Sequence, residues 1–241
     1  MSHPIVFIHG SGDSARIWRL QTDHLGPQRA IAIDLPGHGE RADTFDADVT
    51  VQQYAQAAYE IVTNELHLQA PIIAGHSLGG GVALTMALDY GQQLGGLLLV
   101  GTGARLRVHP TLLEDARQAS PTTSPRISEL AFASSTPPHI ADETMREQKT
   151  PAPNTLYRDL SACNIFDVMS RLSEIHLPTL IICGEDDRLT PVKYSQYMHQ
   201  HIPGSTLHII PDAGHYVMRE QSQAFNQVVE QWLYETFPQR G

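Results

Sequence analysis

The chain has 241 residues, of which 41% are hydrophobic and 17% are charged. This length fits one domain with a sizeable core, and the composition excludes intrinsic disorder. The formal net charge of -10 argues against nucleic acid and anionic membrane surfaces as partners, because like charges repel.

The N-terminal sequence lacks the basic region and the long apolar stretch of a secretory signal. No apolar run approaches the roughly 18 residues that a membrane-spanning helix needs. The two cysteines, Cys163 and Cys183, do not form a disulfide framework or a zinc site. We therefore expect a cytoplasmic location, and the sequence leaves the oligomeric state open.

Short apolar runs, nearly continuous in Val, Ile, Leu and Ala, recur at residues 5–9, 30–35, 71–75, 96–101, 179–184 and 206–211. Strands buried on both faces of a parallel sheet have this pattern. Stretches with apolar residues at helical spacing lie between and after them, at 51–66, 78–90, 194–201 and 222–237. Alternating strands and helices predict an α/β fold with a doubly wound, mostly parallel sheet.

The stretch 109–176 interrupts this alternation, because it is rich in proline and has no obvious strand. It contains short helical patterns at 112–119, 127–133 and 155–172. A structureless loop of this length is unusual in a compact domain, so we interpret the stretch as a helical cap over one edge of the sheet. The core then consists of 1–108 and 177–241. A poorly ordered surface excursion is the alternative interpretation.

The strongest chemical signal is Gly75-His76-Ser77-Leu78-Gly79, which fits the pattern G-x-S-x-G between a predicted strand and a predicted helix. Such a sharp turn strains the backbone at the serine, and larger side chains at the glycine positions would collide. The turn presents the Ser77 hydroxyl at a helix N-terminus, where negative charge is favoured. The motif predicts Ser77 as a nucleophile, and a plain turn with an incidental serine is the alternative.

A serine nucleophile needs a neighbouring base, and the base needs an orienting group. Two later segments offer both, each directly after a predicted strand: Glu185-Asp186-Asp187 and Asp212-Ala213-Gly214-His215. The carboxyl ends of parallel strands meet at one edge of the sheet, where open α/β sheets bind ligands. We expect these segments to lie on the same edge as Ser77.

Five motifs in order make the chain resemble the α/β-hydrolase superfamily over essentially its whole length. They are His9-Gly10, Asp34-Leu35-Pro36-Gly37-His38-Gly39, and the segments 75–80, 184–191 and 214–215. The resemblance implies that His215 is the base and that Asp187 orients it, with Asp186 as the alternative. The first predicted strand begins at residue 5, so the family's usual opening hairpin is not expected, which leaves six parallel strands.

The resemblance also implies an oxyanion hole made of two backbone N–H groups, which stabilise the negative oxygen formed when a carbonyl is attacked. One donor is Leu78, directly after the nucleophile. The other is Ser11, in the loop after the first strand, with Gly12 as the alternative. The chemistry needs no cofactor and no metal, and we expect neither.

The residues predicted to line the substrate pocket lie in the cap, beside the base and near His9-Gly10-Ser11-Gly12, which we call the oxyanion loop after this expectation. They are Gly12, Trp18, His76, Phe132, Leu156, Phe166, Tyr216 and Met218. Ordinary core packing is the alternative for the larger side chains, and a structural role is the alternative for His76.

An apolar roof over the pocket indicates a small to medium uncharged ester. The sequence therefore predicts a serine hydrolase of the carboxylesterase type, with a small-molecule substrate and an acyl-enzyme on Ser77. Carbon–carbon bond hydrolysis, or a related lyase or synthase reaction, is one alternative, since fold does not fix chemistry. It needs a cation for a substrate carboxylate, from Arg16, Arg105, Arg126 or Arg158. A small-molecule receptor with a hydrolase-like pocket is the alternative from another class.

Overall fold

The computed structural model describes residues 3–45, 48–118, 125–147 and 154–238. These residues form the strands β1 (Ile5–Ile8), β2 (Ala30–Ile33), β3 (Ile72–His76), β4 (Gly96–Val100), β5 (Thr179–Gly184) and β6 (Thr206–Ile210). Neighbouring strands pair in parallel throughout, in the order β2-β1-β3-β4-β5-β6. The predicted six-stranded parallel sheet is confirmed.

The helices are α1 (Arg19–Leu25), α2 (Val51–Glu60), α3 (Leu78–Tyr90), α4 (Pro110–Gln118), α5 (Pro125–Ala131), α6 (Pro138–Glu147), α7 (Thr155–Ile165), α8 (Val192–His201), α9 (Val217–Glu220) and α10 (Ser222–Thr236). The segment from α4 to α7 lies between β4 and β5, and we call it the cap. The boundaries at 109 and 176 stay a prediction.

The predicted helix 51–66 continues beyond α2 only as a π-helical turn, Ile61–Glu65. The predicted helix 155–172 ends with α7 at Ile165, and a 3-10 helix follows at Met169–Glu174.

Alternate residues of the inner strands β1, β3, β4 and β5 enter two cores, one on each face of the sheet, whereas the edge strands β2 and β6 are only partly buried. In β1, Val6 and Ile8 pack on the face covered by α2, α3 and α8. Ile5 and Phe7 point to the other face, which α1 and α10 cover. Successive strand residues point to opposite faces, so burial on both faces requires the continuous apolar runs seen in the sequence. In the described part of the chain, no helix combines the length and the hydropathy needed to cross a membrane.

The strand order places a crevice between the loops that follow β1 and β3. The chain leaves β1 for β2 on one side, and β3 then pairs with β1 on its other side. Loops that diverge from such a reversal point leave room for a ligand at the carboxyl ends of the strands. Ser11 lies in the loop after β1, and Ser77 directly follows β3.

Candidate functional site

Ser77 occupies a sharp turn between β3 and α3, with φ 52° and ψ -116°. This left-handed φ costs a residue with a Cβ roughly 1–3 kcal/mol, so the surrounding structure must hold it in place. A Cβ at Gly75 would overlap the carbonyl oxygen of Gly79, and a Cβ at Gly79 would overlap that of Ile8. The two glycines therefore let β3, α3 and β1 approach closely enough to form this turn.

His215 and Asp187 are both buried, and His215 Nδ1 lies 2.9 Å from Asp187 Oδ2. Thr190 supports the carboxylate: its hydroxyl donates to Oδ2 at 2.7 Å and its N–H to Oδ1 at 2.8 Å. The N–H of Leu189 also donates to Oδ1, at 2.9 Å. The neighbouring Asp186 is exposed. The geometry therefore pairs Asp187, and not Asp186, with the imidazole.

The opposite charges of His215 and Asp187 stabilise each other although both groups are buried. Burial disfavours the imidazolium of His215, but the charge and hydrogen bond of Asp187 outweigh it, with help from Asp13 and Glu220, so the pKa is raised above 6.5. Burial likewise disfavours the Asp187 carboxylate, but the charge and hydrogen bond of His215 outweigh it, and the pKa is lowered from 3.8. Asp187 is therefore ionised near neutral pH, and it holds the proton on Nδ1 and leaves Nε2 to accept one.

Glu220 holds the loop that carries His215. Its carboxylate accepts the N–H groups on both sides of the histidine, from Gly214 and from Tyr216, each at 3.0 Å. The N–H of His215 itself donates to the carbonyl of Ala131, at the end of α5, at 2.7 Å. The backbone around the imidazole is therefore fixed from the core and from the cap.

His76 and Asp13 lie beneath the site. His76 Nε2 donates to the carbonyl oxygen of His215 at 3.0 Å, and His76 Nδ1 lies 4.0 Å from Asp13 Oδ2. Burial, followed by the charge of His215, lowers the pKa of His76 well below 6.5, so the ring is neutral. Asp13 is 1% exposed and accepts a hydrogen bond from the Tyr216 hydroxyl at 3.3 Å.

A cavity of about 500 Å³ opens over Ser77 and His215. Of the other residues predicted at the site, Ser11, His76, Leu156 and Tyr216 line it. The cap provides an apolar wall: Leu112, Ile127, Leu130, Leu156 and Leu160. The structure therefore brings Ser77, His215 and the oxyanion loop together under the cap.

Five residues predicted to line the pocket do not line this cavity. Trp18 and Met218 are fully buried in the core beside α10, and Phe166 is buried in the core on the opposite face. Phe132 stacks on the ring of Tyr216, with centroids 5.2 Å apart, and so supports a wall residue from outside the cavity. These four large side chains pack in the cores, as the alternative of ordinary core packing predicts.

Gly12 is the fifth, and its N–H donates to Asp159 Oδ2 at 2.9 Å. This bond occupies the N–H group that an oxyanion donor would need, which favours Ser11 over Gly12 as the expected donor. Leu78 is the first residue of α3, and the N–H groups of a first helical turn have no acceptor within the helix.

Sequence reasoning missed Asp13, Thr190, Glu220 and Asp159. Asp159 had a readable signal, because it lies within an apolar helical stripe with Leu156, Leu160 and Cys163. A carboxylate on such a stripe is buried, and a buried carboxylate requires partners. Among the described residues, no group of three or more His, Cys, Asp or Glu side chains is arranged to hold a metal ion.

The chain is similar to several known enzymes in sequence and in fold. A solved thermophilic esterase is 34% identical, with a TM-score of 0.82, over 98% of this chain and 91% of that one. A thermophilic esterase from Thermogutta terrifontis is 27% identical, with a TM-score of 0.84 and the same coverage. The 2-hydroxy-6-oxo-6-phenylhexa-2,4-dienoate hydrolase of Burkholderia cepacia is 26% identical over 95% of this chain and 87% of its own length.

The family model described as "Alpha/beta hydrolase family" matches residues 5–228, which span every strand of the sheet and both ends of the cap. Together with the parallel sheet and the turn at Ser77, this match means that the chain belongs to the alpha/beta hydrolase family and is an enzyme of that type.

Proposed function

We propose that the protein is a serine hydrolase that cleaves small to medium uncharged carboxylic esters. The observation that carries the proposal is the 2.9 Å contact between His215 Nδ1 and Asp187 Oδ2, in a cavity that His215 lines together with Ser77. A neutral imidazole that donates its Nδ1–H to a carboxylate has a free electron pair at Nε2. This is the atom that accepts the proton of a serine nucleophile.

In the proposed reaction, Ser77 Oγ attacks the ester carbonyl carbon while its proton passes to His215 Nε2. The carbonyl oxygen becomes an oxyanion, which the N–H groups of Ser11 and Leu78 stabilise. The tetrahedral species collapses, and the alcohol leaves with the proton from His215. Water then attacks the acyl-enzyme, His215 takes its proton, and the acid leaves as Ser77 recovers its hydrogen.

The cavity supports an uncharged substrate. Its volume of about 500 Å³ lies within the usual size of small-molecule sites. The leucine and isoleucine wall from the cap favours an alkyl or aryl acyl group over a charged one, because burying a charge without a partner is costly. The two esterases of similar fold support ester hydrolysis as the reaction.

Carbon–carbon bond hydrolysis is the second candidate, since the Burkholderia cepacia relative is named as a dienoate hydrolase. A dienoate carries a carboxylate, which needs a cation in the site. Arg105 and Arg158 instead pair with Asp167 and Asp43. Arg16 is exposed, 3.7 Å from Glu40. The Arg126 side chain lies outside the described part of the chain.

Two other arginines do line the cavity, but both donate to backbone carbonyls. Arg107 donates to the carbonyl of Asn164 and Arg188 to that of Phe132, each at 3.2 Å. A carbonyl holds a guanidinium group without neutralising its charge, so Arg107 and Arg188 are the cations that carbon–carbon bond hydrolysis would use.

The test is the Ser77→Ala variant with p-nitrophenyl acetate and butyrate as substrates. We expect kcat to fall by a factor on the order of 10⁴ or more, because the nucleophile is removed. Ser134→Ala, at an exposed serine between α5 and α6, is the matched control and should match the wild type. Wild-type rates in Ser77→Ala would overturn the assignment. Labelling of Ser77 without turnover of any ester would indicate the receptor instead.

A further inference from the structure

Helix α7 of the cap carries a fully buried carboxylate that contacts the oxyanion loop. Asp159, on α7, is 0% exposed. Its Oδ2 accepts from His38 Nε2 at 2.8 Å and from the N–H of Gly12 at 2.9 Å. Its Oδ1 accepts the Tyr54 hydroxyl at 2.7 Å. We call these four residues the Asp159 cluster. The carboxylate thus joins the cap to three separate parts of the core.

The cluster contains a buried ion pair. His38 Nδ1 lies 3.1 Å from the carbonyl oxygen of Pro36, which only accepts, and His38 Nε2 faces the carboxylate. Both ring nitrogens therefore donate, which requires the imidazolium form. Removing one partner of such a pair leaves an uncompensated buried charge. The pairing therefore holds Asp159 in one position.

The face of α7 that carries Asp159 also covers the substrate cavity. Its members recur at helical spacing: Leu156, Asp159, Leu160 and Cys163. The Leu156 side chain lies 3.1 Å from where a Cβ on Gly12 would be, and Cys163 Sγ lies 3.8 Å from Ser11 Oγ. Leu156, Leu160 and Cys163 line the cavity. One helix face therefore forms part of the roof and packs on the oxyanion loop.

A second histidine holds the other end of this loop. His9 Nδ1 donates to the carbonyl of Gly10 at 2.8 Å, and His9 Nε2 accepts the N–H of Leu35 at 3.1 Å. Burial is the main cause that lowers the pKa of His9 to about 4, so the ring is neutral and both bonds persist near neutral pH. Ser11 therefore lies between a fixed carbonyl at Gly10 and a fixed N–H at Gly12.

We propose that Asp159 is a positioning residue for catalysis: by binding the Gly12 N–H from the cap, it holds the loop so that the Ser11 N–H faces the oxyanion. The inference rests on the proposed function, because it needs an oxyanion at Ser77. Direct loss of one oxyanion donor costs about 10²–10³ in kcat. A displacement of about 1 Å in a catalytic group can cost on the order of 10²-fold.

The test variant is Asp159→Leu, which keeps the approximate size of the side chain and removes both oxygens that accept hydrogen bonds. With p-nitrophenyl butyrate, we expect kcat to fall by about 10–100-fold while KM changes by less than about threefold. A trifluoromethyl ketone, which forms a tetrahedral adduct with a serine, should bind more weakly by the same factor as kcat/KM falls. A residue that only stabilised the fold would not produce this parallel loss.

Asp167→Leu is the matched control, because Asp167 also accepts from a backbone N–H and from a cationic side chain, that of Arg105, but in the loop after α7 and outside the cavity lining. It should match the wild type in both measurements. Unchanged kcat in a folded Asp159→Leu enzyme, or a rise in KM alone, would overturn the proposal. Wild-type activity in Ser77→Ala would instead overturn the proposed function.

If Asp159→Leu does not fold, the wild-type protein still provides a test. The Gly12 amide, held by a buried carboxylate, should exchange its hydrogen slowly in nuclear magnetic resonance experiments. Adding the trifluoromethyl ketone should leave the Gly12 amide protected and shift the Ser11 resonance. Fast exchange at Gly12, or a ketone-induced shift at Gly12 with none at Ser11, would contradict the proposal.

Discussion

His76 Nε2 lies 3.0 Å from the carbonyl oxygen of His215, although the two residues are 139 positions apart. Because a carbonyl only accepts, the neutral His76 ring donates this bond. It joins the residue before Ser77 to the residue proposed as its base. The end of β3 is thereby connected directly to the loop after β6.

Replacing His76 tests this connection. In His76→Phe the buried carbonyl of His215 loses its donor, so we expect the free energy of unfolding to fall by about 1–3 kcal/mol and kcat to fall with it. His76→Gln keeps a donor and should retain more of both. Urea unfolding and ester turnover provide the measurements. Equal behaviour of the two variants would contradict a role for the bond.

The pH dependence of activity follows from the environment of His215. The base must be neutral to accept a proton, so kcat/KM should rise with pH through the raised pKa of His215. We therefore expect the acid limb to have its midpoint above the ordinary value of 6.5. Rates between about pH 5 and 9 measure this midpoint. A midpoint below 6.5 would contradict the geometry around His215.

Asp187→Asn removes the charge that raises this pKa. The acid limb should move to lower pH, and kcat should fall by about 10³–10⁴, because the imidazole no longer keeps its proton on Nδ1. Asp186→Asn, at the exposed neighbour, is the matched control and should behave as the wild type. If Asp186→Asn were the impaired variant, the assignment of the acid would be reversed.

The glycine before the turn is expected to be irreplaceable. In Gly75→Ala the new methyl group would overlap backbone atoms of Gly79, so we expect a loss of about 3 kcal/mol or more in the free energy of unfolding. A Cβ at Gly91, at the end of α3, would meet nothing within 4 Å. Gly91→Ala should therefore change stability by less than about 1 kcal/mol. Similar stabilities for both variants would contradict the close packing of the turn.

The sequence determined the strands and the turn more fully than the helices. The parallel strands were predictable because burial on both faces leaves continuous apolar runs, and the turn at Ser77 requires glycines at fixed positions. The helices α1 and α6 were missed because few of their residues are apolar. In α6, the buried residue is the polar Thr144, and Ala141 and Met145 beside it are only partly buried against the core.

The pocket walls were the least predictable part of the site. Trp18, Phe166 and Met218 are apolar and lie near functional motifs, but such residues serve a core as readily as a cavity. Which face of the fold they enter depends on contacts between distant segments. The apolar stripe of α7 marks Asp159 as buried, but its partners Gly12, His38 and Tyr54 lie far away in the sequence. Glu220 accepts from the nearby Gly214 and Tyr216, and also from the N–H of Ala133 in the cap.

The cap wall should limit the length of the acyl group. Leu130→Trp adds bulk to a residue that lines the cavity, so turnover of p-nitrophenyl octanoate should fall by at least about tenfold while that of the acetate stays nearly constant. Ile165→Trp, at the exposed end of α7, is the matched control. An unchanged preference for chain length in Leu130→Trp would place the acyl group elsewhere.

Reaction with a p-nitrophenyl phosphonate ester, followed by mapping of the adduct by mass spectrometry, tests the central claim most directly. The account predicts one adduct per chain, on Ser77, with esterase activity lost in proportion and no adduct in Ser77→Ala. An adduct on another residue, or full esterase activity after Ser77 is modified, would contradict it.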